Sequence, residues 1–150
     1  MKLAEALILR ADQQRHVEQL KHRLICNAKV QEGDQPAEEP TMLIEEMEKT
    51  LKDLAKIVQR INKTNSNTKF KKNTLTDALA RRDNLKMKCD IYRELCKTAT
   101  VTQDRYSKSE VKFISTVNVA DIQKIADRLA KEHRELDAAI QELNWSTMLL

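Results

Sequence analysis

The sequence predicts an all-α protein of four long helices, packed as an antiparallel, coiled-coil-like bundle. Three observations carry that prediction. Charged residues fill 33% of the 150 positions and aromatics only 3%, so any core must be built from aliphatic side chains on amphipathic segments. The single Gly and both Pro fall between Gly33 and Pro40, which leaves almost none of the turn residues that a many-stranded sandwich, a barrel or a Gly-rich phosphate loop requires. Apolar residues recur at steps of three and four along most of the chain, the spacing of one helix face.

The first helix is expected over residues 2–28, with Leu3, Ala6, Leu7, Val17, Leu20 and Leu24 on one face. Arg10, Gln13 and Gln14 fall where the next apolar layer belongs, so this face has a polar gap. Residues 31–39 (QEGDQPAEE) carry four acids, the only Gly and one of the two Pro, and read as a solvated loop. A second helix is expected over 40–67, with Pro40 at its first position and Glu39 as a cap favoured by charge alone. Its register is the clearest in the chain: Ile44, Met47, Leu51, Leu54, Val58 and Ile61 alternate steps of three and four before a polar end at Asn65 and Thr68. The run NKTNSNTKFKKN (62–73) is too polar and too rich in Asn to stay helical throughout, and a turn is expected near 69–73.

Thr74 and Asp77 have the spacing of a Thr-x-x-acid helix start, which opens a third helix over 75–99. It carries Leu75, Ala78, Leu79, Leu85, Cys89, Tyr92, Leu95, Cys96 and Ala99, interrupted by Arg82. Val111, Phe113, Ser115 and Val117 alternate with Lys112, Ile114 and Thr116, which predicts a short extended segment over 111–117 able to pair with its copy in another subunit. Asn118 or Asp121 caps a last helix over 119–144 that carries Ile122, Ile125, Leu129, Leu136, Ile140 and Leu143. The length fits one helical domain over 1–150.

Several functions lack their parts. The longest apolar run, Ala6 to Leu9, is far short of the ~20 residues that cross a bilayer, and the N-terminal stretch has neither the apolar length nor the cleavage site of a secretory signal. A cytoplasmic protein is expected. Cys89 and Cys96 lie two helical turns apart, roughly 10 Å between Cα atoms, too far for a disulfide; with Cys26 they read as thiols in a reducing compartment. His16, His22 and His133 show no metal-ligand spacing, and no Glu-x-x-His pair or nucleophile motif is present. No catalytic residue, metal or cofactor is assigned, and an enzyme is not favoured.

What remains is a set of polar residues at stripe positions. The stretch NTLTDALARRD (73–83), with Asp77, Arg81, Arg82 and Asp83, is the place for a polar site if it gathers Arg10, Arg60, Asn65, Arg105 and Tyr106 from other segments. An inward Arg10 or Arg82 needs a carboxylate partner such as Asp77 or Asp83, because a buried guanidinium without one costs several kcal/mol. The chain's +4 net charge is uneven: residues 30–59 are acidic and residues 60–112 basic. Lys69, Lys71, Lys72, Lys86 and Lys88, with Arg81 and Arg82, form the strongest argument for nucleic-acid binding through counterion release. Interspersed Asp77, Asp83 and Asp90 and the scarcity of stacking aromatics weigh against it.

Taken end to end, the chain resembles the septicolysin-like family of small bacterial helical proteins. The resemblance rests on KLAEALILRAD (2–12), NAKVQEGDQPAEEP (27–40), RINKTN (60–65), TLTDALARRDNLK (74–86), QDRYSKSEVKFISTVNVADIQK (103–124) and QELNW (141–145). It implies a coiled-coil-like, oligomeric helical subunit with no established activity. The family label also implies a membrane-active haemolysin, although a mean hydropathy of −0.62 and the absence of an apolar hairpin argue against lysis. The favoured reading is a self-assembling structural or binding module that forms a homo-oligomer, with nucleic-acid binding as the first alternative and membrane activity as the second.

Overall fold

The computed structural model describes residues 1–101 and 111–150 and is all-α. Among the described residues, helices α1 (Leu3–Cys26), α2 (Pro40–Asn67), α3 (Leu75–Ala99) and α4 (Val119–Ser146) are joined by one small antiparallel hairpin, β1 (Lys69–Phe70) and β2 (Asn73–Thr74). The chain divides into two compact units, one formed by residues 1–74 with 141–150 and the other by residues 75–140, so α4 contributes to both.

In the first unit α1 and α2 run antiparallel, which brings His16 Nε2 to 2.9 Å from Glu46 Oε1 and Arg23 onto Glu38. Leu3, Ala6 and Leu20 of α1 are buried, as are Leu43, Ile57 and Ile61 of α2. The face that α2 buries is rotated from the expected stripe. Ile44 and Leu51 are 46% and 39% exposed, whereas Thr64, not among the anticipated apolar positions, is fully buried. The three-and-four spacing identifies apolar positions, but α1 covers their flank, so one edge of the stripe is left open.

The polar residues at the end of α2 act on its own backbone. Asn67 Nδ2 donates to Lys63 O at 2.7 Å and Thr68 Oγ1 to Thr64 O at 2.7 Å, the latter beside the Thr68 N–H that already reaches Thr64 O at 2.9 Å, so these side chains add second bonds to carbonyls of the last turn. The chain then reverses through the hairpin, with Lys71 in the left-handed region (φ 54°). The polar gap of α1 is also placed: Arg10 Nε and Gln13 Oε1 are shielded from solvent with no hydrogen-bond partner among the described residues.

Two devices close this unit. At the termini, Leu3 N–H donates to Thr147 O at 2.9 Å, Leu149 N–H to Met1 O at 3.0 Å, and Leu150 N–H to Thr64 Oγ1 at 3.0 Å, while Thr64 Oγ1 donates to Arg60 O. Between α1 and α2, buried Asn27 donates from Nδ2 to Arg23 O at 2.9 Å and accepts from Glu38 N–H at 3.1 Å, which fastens both ends of the solvated loop. A buried polar side chain with every role occupied costs little and fixes the backbone it bridges.

In the second unit α3 and α4 are also antiparallel. Arg82 Nη1 donates to Asp137 Oδ1 at 3.3 Å, and the Cys89 and Cys96 thiols lie 3.7 and 3.9 Å from the carbonyl oxygens of Ala126 and Val119. Leu75, Ala78, Leu85, Cys89 and Cys96 of α3 and Ala126, Leu129, Leu136 and Ile140 of α4 are buried. Asp121 N–H donates to Asn118 Oδ1 at 3.2 Å, so Asn118 caps α4.

The segment 111–117 forms no strand. Ser115 Oγ donates to Val117 O at 2.7 Å and accepts from Val117 N–H at 3.3 Å, a local loop that takes up the groups a ladder would use. Phe113 and Ile114 are both exposed, at 87% and 82%, so the expected alternation of faces is absent.

Candidate functional site

The polar grouping anticipated from the sequence is spread over both units. In the first, Arg60 is exposed and donates from Nε to Leu150 O at 2.9 Å, Asn65 is half-buried, and Arg10 keeps its shielded Nε. In the second, half-buried Arg82 forms ion pairs with Asp83 at 3.0 Å and Asp137 at 3.3 Å, while Asp77 and Arg81 are exposed. Of the two carboxylates expected to satisfy an inward arginine, Asp83 does so; Asp137, from the facing helix, is the one sequence spacing did not offer. Arg105 and Tyr106 lie outside the described residues.

The basic residues do not make one uninterrupted stripe. Lys69, Lys71 and Lys72 belong to the hairpin, where Lys71 Nζ sits 5.8 Å from the centre of the Phe70 ring. Lys86 Nζ donates to Asp90 Oδ2 at 2.6 Å, a hydrogen bond that holds the Asp90 carboxyl below its ordinary range, and Lys88 is exposed. No group of three or more potential metal ligands occurs among the described residues.

A groove on the first unit is net acidic, lined by Glu38, Glu39, Glu45 and Glu46 around Met42 and Leu43, with Arg23 and Lys49 as its basic residues. At its edge Arg23 Nε donates to both Glu38 oxygens, at 3.1 and 3.0 Å, and its Nη2 donates to one of them. This fork lowers the Glu38 pKa and raises that of Arg23, in each case chiefly through the hydrogen bond.

The second unit carries a different surface. At about 100° per residue, Met87, Ile91 and Leu95 form a row along α3 on the side away from its buried residues, and they are 64%, 59% and 37% exposed. At the C-terminal end of α3 the row meets a mixed groove in which Leu95, Ala99, Val101, Phe113, Ile114 and Val117 alternate with the hydroxyl residues Thr98, Thr100, Ser115 and Thr116. α3 therefore has two apolar faces, one packed on α4 and one open. Sequence reasoning followed the packed face and passed over Met87 and Ile91; their spacing of four, out of phase with Leu85, Cys89 and Cys96, was the available signal.

The chain matches the model of a family of unknown function, DUF6847, over residues 10–149. It is also similar, at 47% identity and a TM-score of 0.94, to the crystal structure of a functionally unknown conserved protein from Corynebacterium diphtheriae, with 100% of this chain and 99% of that one covered. Among curated proteins none matches. These findings correct the septicolysin-like resemblance: the family matched is a different one, and neither match points to a haemolysin. Segments such as TLTDALARRDNLK are composed mostly of residues common on helices, so their likeness to another helical family carries little specificity. Among the described residues no helix is long and apolar enough to cross a membrane.

Proposed function

As the chain belongs to DUF6847, a family of unknown function, we propose from its geometry that it works as a cytoplasmic assembly module, a homo-oligomer whose subunits meet through apolar helix surface. The observation that carries this reading is the open face of α3, where Met87 and Ile91 are exposed in a row that ends at Leu95, which lines a groove with the exposed Phe113 and Ile114. A contiguous apolar surface on a chain this rich in charge is a feature of interaction sites. The open edge of α2, at Ile44 and Leu51, adds a second, smaller surface of coiled-coil-like spacing. Free Cys26, Cys89 and Cys96 fit a reducing compartment.

The test is the solution mass of the purified protein by light scattering at low and high salt, with absorbance at 260 nm read on the same peak. One multimer at both salts, free of nucleic acid, is the expected result. A monomer at all concentrations overturns the reading. A particle that sheds nucleic acid as salt rises directs attention to the basic residues instead.

A further inference from the structure

We infer that the open face of α3 joins two copies of this chain in parallel about a two-fold axis, with Ile91 of one copy against Ile91 of the other. The inference rests on the assembly reading and specifies its surface and geometry. Two observations support a second copy as the occupant.

The first is area. Met87, Ile91, Leu95, Val101, Phe113 and Ile114, at exposures between 37% and 87%, present on the order of 700 Å² of largely apolar surface. The largest patch on a typical monomer is roughly 300–600 Å², and a stable interface takes roughly 800 Å² from each partner. The face is large enough to supply most of one side of a dimer without help from elsewhere.

The second is charge. At about 100° per residue, Arg81 and Lys88, with Asp77 beside them, lie on one flank of the Met87–Ile91–Leu95 row, and Asp83, Asp90 and Glu94, with Lys97 at their outer edge, lie on the other, so that the first flank is net basic and the second net acidic. Asp83 and Asp90 are paired within the chain, with Arg82 and Lys86. Arg81, Lys88 and Glu94 have no ion-pair partner among the described residues. A two-fold axis along the helices sets the basic flank of each copy against the acidic flank of the other, on both sides of the seam. An axis across the helices sets each flank against itself, and like charges then oppose association. The groove at the Leu95 end argues the same way. In a parallel pair the Phe113 and Ile114 surfaces of both copies meet at one end, whereas an antiparallel pair leaves them at opposite ends and uncovered.

Single cysteines at Met87, Ile91 and Leu95, each in a Cys26→Ser background, test this directly. Cys89 and Cys96 are buried and stay in place. Mild oxidation of the full chain is expected to join each variant to itself, Ile91→Cys most completely. If Met87→Cys joins only to Leu95→Cys in a mixture of the two, the parallel orientation is overturned. Lys88→Glu is expected to raise the dimer dissociation constant roughly tenfold, and adding Glu94→Lys to restore it. Ile91→Glu, an exposed substitution that leaves the helical circular-dichroism spectrum in place, is expected to yield a monomer, with a melt that no longer depends on protein concentration. A multimer that survives Ile91→Glu, with no cross-linking at any of the three positions, overturns this surface and leaves the assembly reading standing. A wild-type monomer overturns both.

Discussion

The two units differ in how they are fastened. The first fastens its backbone with polar side chains, Thr64 at the C-terminal segment and Asn27 at the loop, and pairs its two ends through Leu3, Met1, Thr147 and Leu149. The second is a pair of helices held by a narrow row of buried residues and the Arg82–Asp137 contact, with a further apolar row on the outer side of α3. Both come from the same aliphatic, charge-rich composition. The difference shows that amphipathicity is a property of each face, and that a helix with two apolar faces carries more information about association than about folding.

The largest effect that distinguishes the units is a pair of isoleucine truncations. Ile61→Ala, at a fully buried site, is expected to cost about 2–5 kcal/mol through lost burial and a cavity. Ile91→Ala is expected to change unfolding by less than about 0.5 kcal/mol in the monomer while weakening self-association. Urea denaturation beside sedimentation would measure both, and equal destabilisation would erase the contrast.

Next in size is Thr64→Val, which keeps the volume but strands the Leu150 N–H. A loss of about 1–3 kcal/mol is expected, with faster amide exchange at Leu149 and Leu150 as its local sign. A stability equal to wild type would mean that the C-terminal segment is not fastened through this hydroxyl. Asp137→Ala tests the corresponding polar contact in the second unit. Half-exposed and shared with Asp83, the Arg82 pair is expected to contribute at most about 1 kcal/mol.

The smallest effect is electrostatic. Glu38 has its pKa lowered by the Arg23 hydrogen bond, so its contribution is fully present above the ordinary carboxylate range and is lost as pH falls through the lowered value. Arg23→Gln is expected to return the Glu38 titration, followed by NMR, toward its ordinary position. No change in that titration would mean the fork does not persist in solution.

Much of this fold was legible in the sequence because four amphipathic runs are separated by segments of unmistakably different composition. The polar loop around Gly33 and the Asn-rich run before Phe70 leave few other ways to divide the chain. The faces were harder. Period alone selects Ile44 and Leu51 on α2, yet Leu43, Ile57 and Thr64 are the buried ones, because which flank is covered depends on what packs against the helix and not on the pattern. Segment 111–117 read as a strand from its alternation, but Ser115 closes it locally. The polar candidates were chosen for density along the chain; Arg82 found Asp137 across a helix interface, a contact that no spacing within α3 encodes. For the open face the signal was present in Met87 and Ile91, and the stronger packed stripe obscured it.

The pairing of the chain's two ends has a consequence for synthesis. Residues 75–140 make up the second unit and are made before residues 141–150, which the first unit needs for the Leu3–Thr147 and Thr64–Leu150 contacts. A chain emerging from the ribosome therefore holds every residue of its second unit before the first can finish. Those contacts join positions far apart in sequence, and contacts of that kind are slow to form. While residues 141–150 are still to come, the α1–α2 pair made first lacks the segment that completes its unit, whereas the α3–α4 pair already holds every residue of its own, with its open apolar row on display.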